Sequence, residues 1–365
     1  MAKARLLAPW VDEERRSAIY HCVSRVVDRN YIFGDAEREQ FVKYMRMYEA
    51  FCGVRVLSFC VMSNHFHILV EVPPRMDEEL SDEALLDRLS LICSKDYVGV
   101  IRMRLTSLAE STTEKGKEAY AELREQFTKR MWDLGHFMKT LKQRFTRWYN
   151  AKNGRKGTLW EARYKSVLVE DGHAARVMAA YIDLNPVRAG MIRDSKDYRW
   201  CSYAEAVAGG KRGELSRRGL ARVMQERDNQ AEINTAYDGW VGFPTPGHYG
   251  WRSVAQRYRL ILFEDGEEVC SMQGKKLRRG FSKEDREAQE ERCGELSLAE
   301  KLRCKTRYFV DGGVIGGKRF VSDVVGRLRG GYLKEDRKSS GSRVPAYKQT
   351  GGEQGAELWS MRELG

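Results

Sequence analysis

The stretch VRVLSFCVMSNHFHILVEV, residues 54–72, decides the fold. Residues 54–62 and 65–72 are rich in β-branched and aromatic side chains, and each predicts a strand. Only Ser63 and Asn64 separate them, so the two strands pair as an antiparallel hairpin. Pro73 and Pro74 close the second strand. Upstream, AIYHCVSRV (18–26) predicts another strand, followed by a turn at Asp28-Arg29-Asn30. Residues 36–52 place Phe41, Tyr44, Met45 and Tyr48 at helical spacing, with Asp35 as expected N-cap and Gly53 as the residue that ends the helix.

Downstream the pattern changes. Residues 76–130 begin acidic and read as a helical insertion, and a basic, aromatic helix is expected over about 131–150. A turn at 153–157 leads to a strand over 163–169, RYKSVLV. A further helix starts near Asp171-Gly172-His173 and runs to about Leu184, where Asn185-Pro186 stops it, because a residue before proline avoids the α region. With the insertion set aside, the order is β-α-β-β-α-β-α. That predicts an α+β fold with a ferredoxin-like antiparallel sheet.

The chain has 365 residues, 42% hydrophobic and 32% charged, with a formal net charge of +12. That length predicts two domains, and the apolar content excludes a disordered chain. The boundary is expected at Gly209-Gly210, giving a domain over 1–209, a mostly helical, basic region over 210–334 and a loose tail over 335–365. Helical stretches at 296–307 and 317–329, joined by the glycine-rich 311–317, permit a helix-turn-helix, although an ordinary helical hairpin meets the same pattern. No apolar run is long enough to span a membrane and no signal-peptide core is visible, so a soluble, cytoplasmic, nucleoid-associated protein is expected. The eight cysteines form no C-x-x-C pair and read as reduced core residues.

The charge is segregated. Residues 131–170 carry nine Lys/Arg against three Asp/Glu, residues 301–350 carry thirteen against four, and the remainder is faintly acidic. Segregated basic patches point to a polyanion, although charged faces are often only solvated. In the first patch Phe145, Trp148, Tyr149, Trp160 and Tyr164 stand among the cations, an arrangement suited to unpaired bases, with half of those rings expected in the core. Lys142, Arg144, Arg147, Arg155, Lys156 and Arg163 are the candidate phosphate contacts. Arg25, Arg29 and Arg188 are weaker candidates, and Arg188 is equally suited to pairing with a carboxylate.

Of six histidines, His65 and His67 flank Phe66 on the second hairpin strand, so both imidazoles face one side of the sheet. Two adjacent imidazoles are a common half-site for a divalent metal, yet an isolated H-x-H is a weak signal. The third ligand must come from elsewhere. Tyr181 and Asn185 lie one helical turn apart, and an amide oxygen can complete such a site. Taken alone, Tyr181 also reads as a core tyrosine and Asn185 as a helix C-cap; Asp183 lies on another face.

Three passages together carry a family resemblance: YHCVSRVVDRNYIF (20–33), VMSNHFHILVEV (61–72) and GTLWEARYKSVLVEDGHAARVMAAYIDLNPVRAGMI (157–192), extended by WCSY (200–203). They resemble the single-tyrosine HUH transposases, and within them the REP-associated tyrosine transposases, over roughly residues 1–205. Ser63 departs from the proline frequent there, and the insertion is larger than in minimal members.

The resemblance implies an HUH nuclease fold and a DNA transposase that cleaves and rejoins single-stranded DNA beside repeat hairpins. Tyr181 would be the nucleophile, giving a 5′-phosphotyrosine, with His65, His67 and Asn185 holding Mg²⁺ or Mn²⁺. It leaves a homodimer open, since insertion-sequence relatives share sites between subunits while REP-associated ones act as monomers. Three other readings compete: a rolling-circle initiator or relaxase, a domesticated hairpin-binding protein, and a zinc hydrolase. The missing acidic partner after His67 counts against the last.

Overall fold

The computed structural model describes residues 8–75, 80–225, 251–265, 269–270, 276–278, 280, 314–335 and 358–360. A short helix, α1 (Trp10–Glu13), precedes β1 (Ala18–Arg25), α2 (Asp35–Cys52), β2 (Arg55–Val61) and β3 (His65–Val72). The insertion is helical as expected: α3 (Asp82–Ser90), α4 (Lys95–Ala109) and α5 (Glu114–Thr128). Ser81, Ser94 and Thr113 start these helices, each accepting a backbone N–H from the first turn. Then come α6 (Leu134–Lys152), β4 (Lys165–Val169), α7 (His173–Asp183), the one-turn α8 (Asn185–Arg188), α9 (Ser202–Ala208), α10 (Gly210–Met224) and α11 (Trp251–Asp265). Finally β5 (Val269–Cys270), β6 (Lys276–Arg278), β7 (Val314–Gly317), α12 (Lys318–Glu335) and β8 (Leu358–Ser360) are described.

The main sheet runs β2-β3-β1-β4-β7-β8. Each of its first four strands is antiparallel to its neighbours, the ferredoxin-like antiparallel sheet expected from the sequence. Alternation along β3 sorts its side chains. Phe66, Ile68, Val70 and Val72 join Phe41 of α2 and Phe145 of α6 in one core. Leu69 joins Ala175, Met178 and Ile182 of α7 in the other. Helices therefore cover both faces, with α2 and α6 on one and α7 on the other.

The outer edge of β2 is closed by the segment around WCSY. Val61 N donates to Trp200 O at 3.0 Å, and Phe59 N donates to Ser202 Oγ at 2.6 Å. Tyr198 OH donates to Val61 O at 2.7 Å. An edge whose N–H and C=O groups are engaged in this way presents no template for another strand. α10 approaches the same strand closely: a Cβ added to Gly219 would stand 2.6 Å from Leu57 O. Glycine is thus the residue that lets this helix seat against β2.

Several expectations are corrected. Asp35 is the first residue of α2, not its cap; the cap position is Gly34, and Asp35 instead accepts from Arg38 Nη1 at 3.2 Å. Gly53 does end that helix, at φ 66°. Within the glycine-rich stretch expected to be a turn, Val314–Gly317 is a strand paired parallel to β4, and Gly317 N donates to Glu170. α12 follows it as a strand–helix unit against the sheet, with Phe320 edge-on to Trp10 at 5.6 Å. Its expected partner helix, 296–307, lies outside the described residues, as does most of the basic 301–350 segment. The expected tail contains β8, paired with β7. Cys22, Cys52, Cys60 and Cys201 are buried, and Cys93 is half-buried. Among the described residues no helix is long and apolar enough to cross a membrane.

Glu71, fully buried on β3, anchors α10 to the sheet. It accepts from Arg222 Nη2 at 2.8 Å, Arg55 Nη1 at 3.0 Å and Ser17 Oγ at 2.8 Å. Burial pushes its carboxyl up, but the Arg222 and Arg55 guanidinium groups outweigh that and hold it at about 2. Its folded value lies below the ordinary 4.5, so the stability it contributes is complete above that pH and is lost as pH falls through about 2. Removing one partner of a buried pair leaves an uncompensated charge and costs about 3–5 kcal/mol. Glu71→Gln should therefore be less stable than wild type by about that amount near neutral pH in urea denaturation. The gap should narrow below pH 4.5; a gap that persists unchanged to pH 2 contradicts this role.

Candidate active site

His65 and His67 lie on the α7-facing side of β3, their ring centroids 5.1 Å apart. The register sets Arg25 of β1 opposite His65 and Val23 opposite His67. His21, two residues before Val23, therefore shares the histidine face. Its Nε2 lies 3.0 Å from His67 Nδ1, with the two rings nearly parallel. On the other side, His65 Nδ1 lies 2.7 Å from Asn64 Oδ1. Burial, and then Arg25, push His65 down to about 4; burial and the neighbouring His65 and His21 hold His67 well below its ordinary value. Both rings are thus neutral near pH 7, the form whose nitrogen lone pair can bind a cation.

α7 covers this face. Tyr181 presents its ring edge-on to His67, centroids 5.9 Å apart, and to His21, at 6.1 Å. Burial raises its phenol, while the Arg188 guanidinium, 4.8 Å from the ring centroid, lowers it. Asn185 Nδ2 donates to Tyr181 O at 3.0 Å and to Ile182 O at 3.2 Å. The C-cap reading of Asn185 is thus realised through its amide nitrogen. Asp183 points into the core: it accepts from Tyr203 N at 3.1 Å and Tyr258 OH at 2.7 Å, fixing α7 to α9 and α11. Burial pushes its carboxyl up to about 7.

Two neutral imidazoles and an amide oxygen are donors that could hold a divalent cation together with water or phosphate oxygens. Among the described residues no cluster of three or more His, Cys, Asp or Glu could hold a metal ion.

The basic candidates distribute unequally. An open groove of about 920 Å³ runs between α6 and residues 158–164, lined by Lys139, Arg147, Arg163 and His136 among others. Its wall is tied to the end of β1 that pairs with His65, through Glu161 N donating to Arg25 O at 3.0 Å. Lys142 is buried in the groove floor, its Nζ donating to Ala162 O at 2.9 Å over the Trp160 ring. Arg144 turns away over Tyr44, on the α2 side. Arg155 lies over Tyr149, and Lys156 is exposed in the turn after α6. Of the rings in this patch, Phe145, Trp160 and Tyr164 are core residues, while Trp148 and Tyr149 are half-buried.

His21 and Asn64 were not singled out by sequence reading. The signal for His21 was present: β1 alternates, and its antiparallel pairing with β3 brings it beside His67. Nothing in the sequence signalled Asn64, because its role depends on where a neighbouring loop aims a carbonyl group.

Residues 15–81 match the family described as "Transposase IS200 like". The matched segment holds β1 to β3, and with them His21, Asn64, His65 and His67; Tyr181 and Asn185 lie beyond it. At the family level the match is to a DNA transposase, in agreement with the resemblance read from the sequence. A comparison with curated proteins found no match. Among solved structures, the chain is similar to a REP-associated tyrosine transposase bound to a REP hairpin. The two are 10% identical, the likeness covers 57% of this chain and 86% of that one, and the TM-score is 0.34.

The contact between Arg188 and Tyr181 is directly testable. Arg188→Leu removes the cation that lowers the phenol and leaves the burial that raises it. The ionisation of Tyr181, read as the ultraviolet difference between each protein and its Tyr181→Phe counterpart, should then move to higher pH. An unchanged titration contradicts the contact.

Proposed function

We propose that the chain is a DNA transposase that cleaves and rejoins single-stranded DNA beside a hairpin, with Tyr181 as nucleophile and a divalent-metal site at His65, His67 and Asn185. The observation that carries this reading is the placement of the Tyr181 ring edge-on to His67 and His21, across the interface of α7 with the sheet. A core tyrosine needs no such neighbours, and a histidine pair without a nucleophile would not explain the site's third wall.

Mg²⁺ or Mn²⁺ bound there would supply charge to offset that developing on the scissile phosphate. The chain's own residues do the rest. Arg188, over the Tyr181 ring, favours the phenolate that attacks. Tyr181 Oη forms a bond to phosphorus as the P–O3′ bond breaks, leaving a 5′-phosphotyrosine; the phenol proton is released and the departing 3′-oxygen takes one up. Rejoining reverses the exchange, with a 3′-hydroxyl displacing the tyrosine. The phosphodiester energy is retained in the covalent intermediate, so no nucleotide hydrolysis is required.

The groove between α6 and residues 158–164 is the proposed path of the strand, with Arg147 and Arg163 as its phosphate contacts. Lys156 and Arg155 extend that path, whereas Lys142 shapes its floor. Tyr181 stands beside the histidines of its own chain, so a second copy is not needed to complete the site.

Incubation with labelled single-stranded oligonucleotides carrying a hairpin, in Mg²⁺ or Mn²⁺, should give nicked product and a covalent protein–DNA band. Both should vanish in Tyr181→Phe and fall by a hundredfold or more in His65→Ala, the scale of losing a preorganised electrostatic contact. Adducts that persist in Tyr181→Phe reject the nucleophile. Hairpin binding without any adduct in either metal would favour a DNA-binding module.

A further inference from the structure

We propose that Asn64 and His21 are positioning residues that hold His65 and His67 in the Nδ1–H tautomer, so that each presents a bare Nε2 to one divalent cation. This rests on the metal-site reading above.

For Asn64 the argument is one of donors and acceptors. Its Nδ2 lies 2.9 Å from Arg29 O. A carbonyl oxygen only accepts, so that end of the amide must be the NH₂ group. The other end is then Oδ1, and it lies 2.7 Å from His65 Nδ1. An amide oxygen cannot donate, so the hydrogen belongs to the imidazole. A neutral ring with its hydrogen on Nδ1 has its lone pair on Nε2. The Arg29 carbonyl thus sets the tautomer of His65 through one intervening amide.

The loop that supplies this carbonyl is held in an unusual conformation. Asp28 and Arg29 both have φ 56°, two successive residues in the left-handed region that side chains disfavour. The surrounding bonds keep them there: Val27 N donates to Leu159 O at 3.1 Å, and Val26 N donates to the Asn64 carbonyl at 2.9 Å. The second bond also fixes the Asn64 main chain relative to β1.

For His67 the hydrogen between its Nδ1 and His21 Nε2, 3.0 Å apart, can sit on either ring. If it sits on His21, His67 carries its own hydrogen on Nε2 and cannot bind a cation there. If it sits on His67, Nε2 is bare and His21 accepts. Cation binding selects the second arrangement, and His21 is the acceptor that makes it available. Asn64 of the hairpin turn thereby imposes this tautomer on His65, and His21 of β1 makes the same tautomer available to His67.

The test uses the full chain. With histidine labelled with nitrogen-15 and Mg²⁺ present, nitrogen–proton correlations should show Nδ1–H on both His65 and His67. Calorimetric titration with Mn²⁺ should show affinity falling by about 10–100-fold in Asn64→Leu and in His21→Phe. Asn64→Asp and His21→Gln keep an acceptor oxygen and should recover most of that loss. An Nε2–H on either histidine with Mg²⁺ bound overturns the proposal. Equal loss in the leucine and aspartate variants of Asn64 also overturns it, because that outcome reports folding and not an acceptor.

His65→Ala and His67→Ala separate the two levels of inference. If they abolish Mn²⁺ binding while Asn64→Leu and His21→Phe bind as wild type, the positioning roles fail and the metal site stands. If the alanine variants bind Mn²⁺ as wild type, the metal site itself fails, and the positioning roles fail with it.

Discussion

The antiparallel register of β1 against β3 is the constraint on which the site depends. It pairs Val23 with His67 and His21 with Leu69, and so brings three histidines to one face of the sheet. Side chains on a strand alternate with a period of two, so a slip of one residue would turn the histidines into the apolar core and Phe66 out of it. The register is held against that slip by burial on both faces. Phe66, Ile68 and Val70 are fully buried against α2 and α6, and Leu69 is fully buried against α7. The same alternation places Glu71 on the histidine face, where Arg222 and Arg55 compensate its charge and tie α10 to the sheet.

What closes the site is a division of labour around one helix. Ile182 and Asp183 of α7 point inward, the first into apolar packing and the second to Tyr258 and Tyr203 N. Tyr181 faces His67 and His21, and Arg188, from the one-turn helix that follows, lies over its ring. The break at Asn185-Pro186 tightens this arrangement. The amide of Asn185 caps the carbonyl groups of Tyr181 and Ile182, and the one-turn helix that follows carries Arg188 back over the phenol. Burial disfavours the charged form of the Tyr181 phenol, and the guanidinium opposes that effect.

Most of the sheet was legible in the sequence because its signals are local. β-branched runs, a two-residue turn and the Pro73-Pro74 stop fixed three strands to within a residue or two. The H-x-H pair and the Tyr181–Asn185 spacing were legible for the same reason, since strand and helix periods place side chains without knowledge of the whole chain. What escaped was non-local. His21 acquires its place only through pairing between strands about forty-five residues apart, a consequence of register. Asn64 depends on a carbonyl aimed by two left-handed residues, which composition does not announce. Lys142 read as a phosphate contact because it stands in a basic helix, yet its long side chain is drawn under Trp160 toward a backbone carbonyl. The glycine-rich 311–317 read as a turn, but its last four residues form a strand because β4 offers an open edge to pair with.

The most direct test of the central claim is to locate the covalent bond itself. After reaction with a hairpin-bearing single strand, the protein is digested and the nucleotide-modified peptide is identified by mass spectrometry. The structure predicts a single modified residue, Tyr181, joined to a 5′-phosphate. A phosphate carried on any other tyrosine, with Tyr181 unmodified, would contradict the assignment of this site.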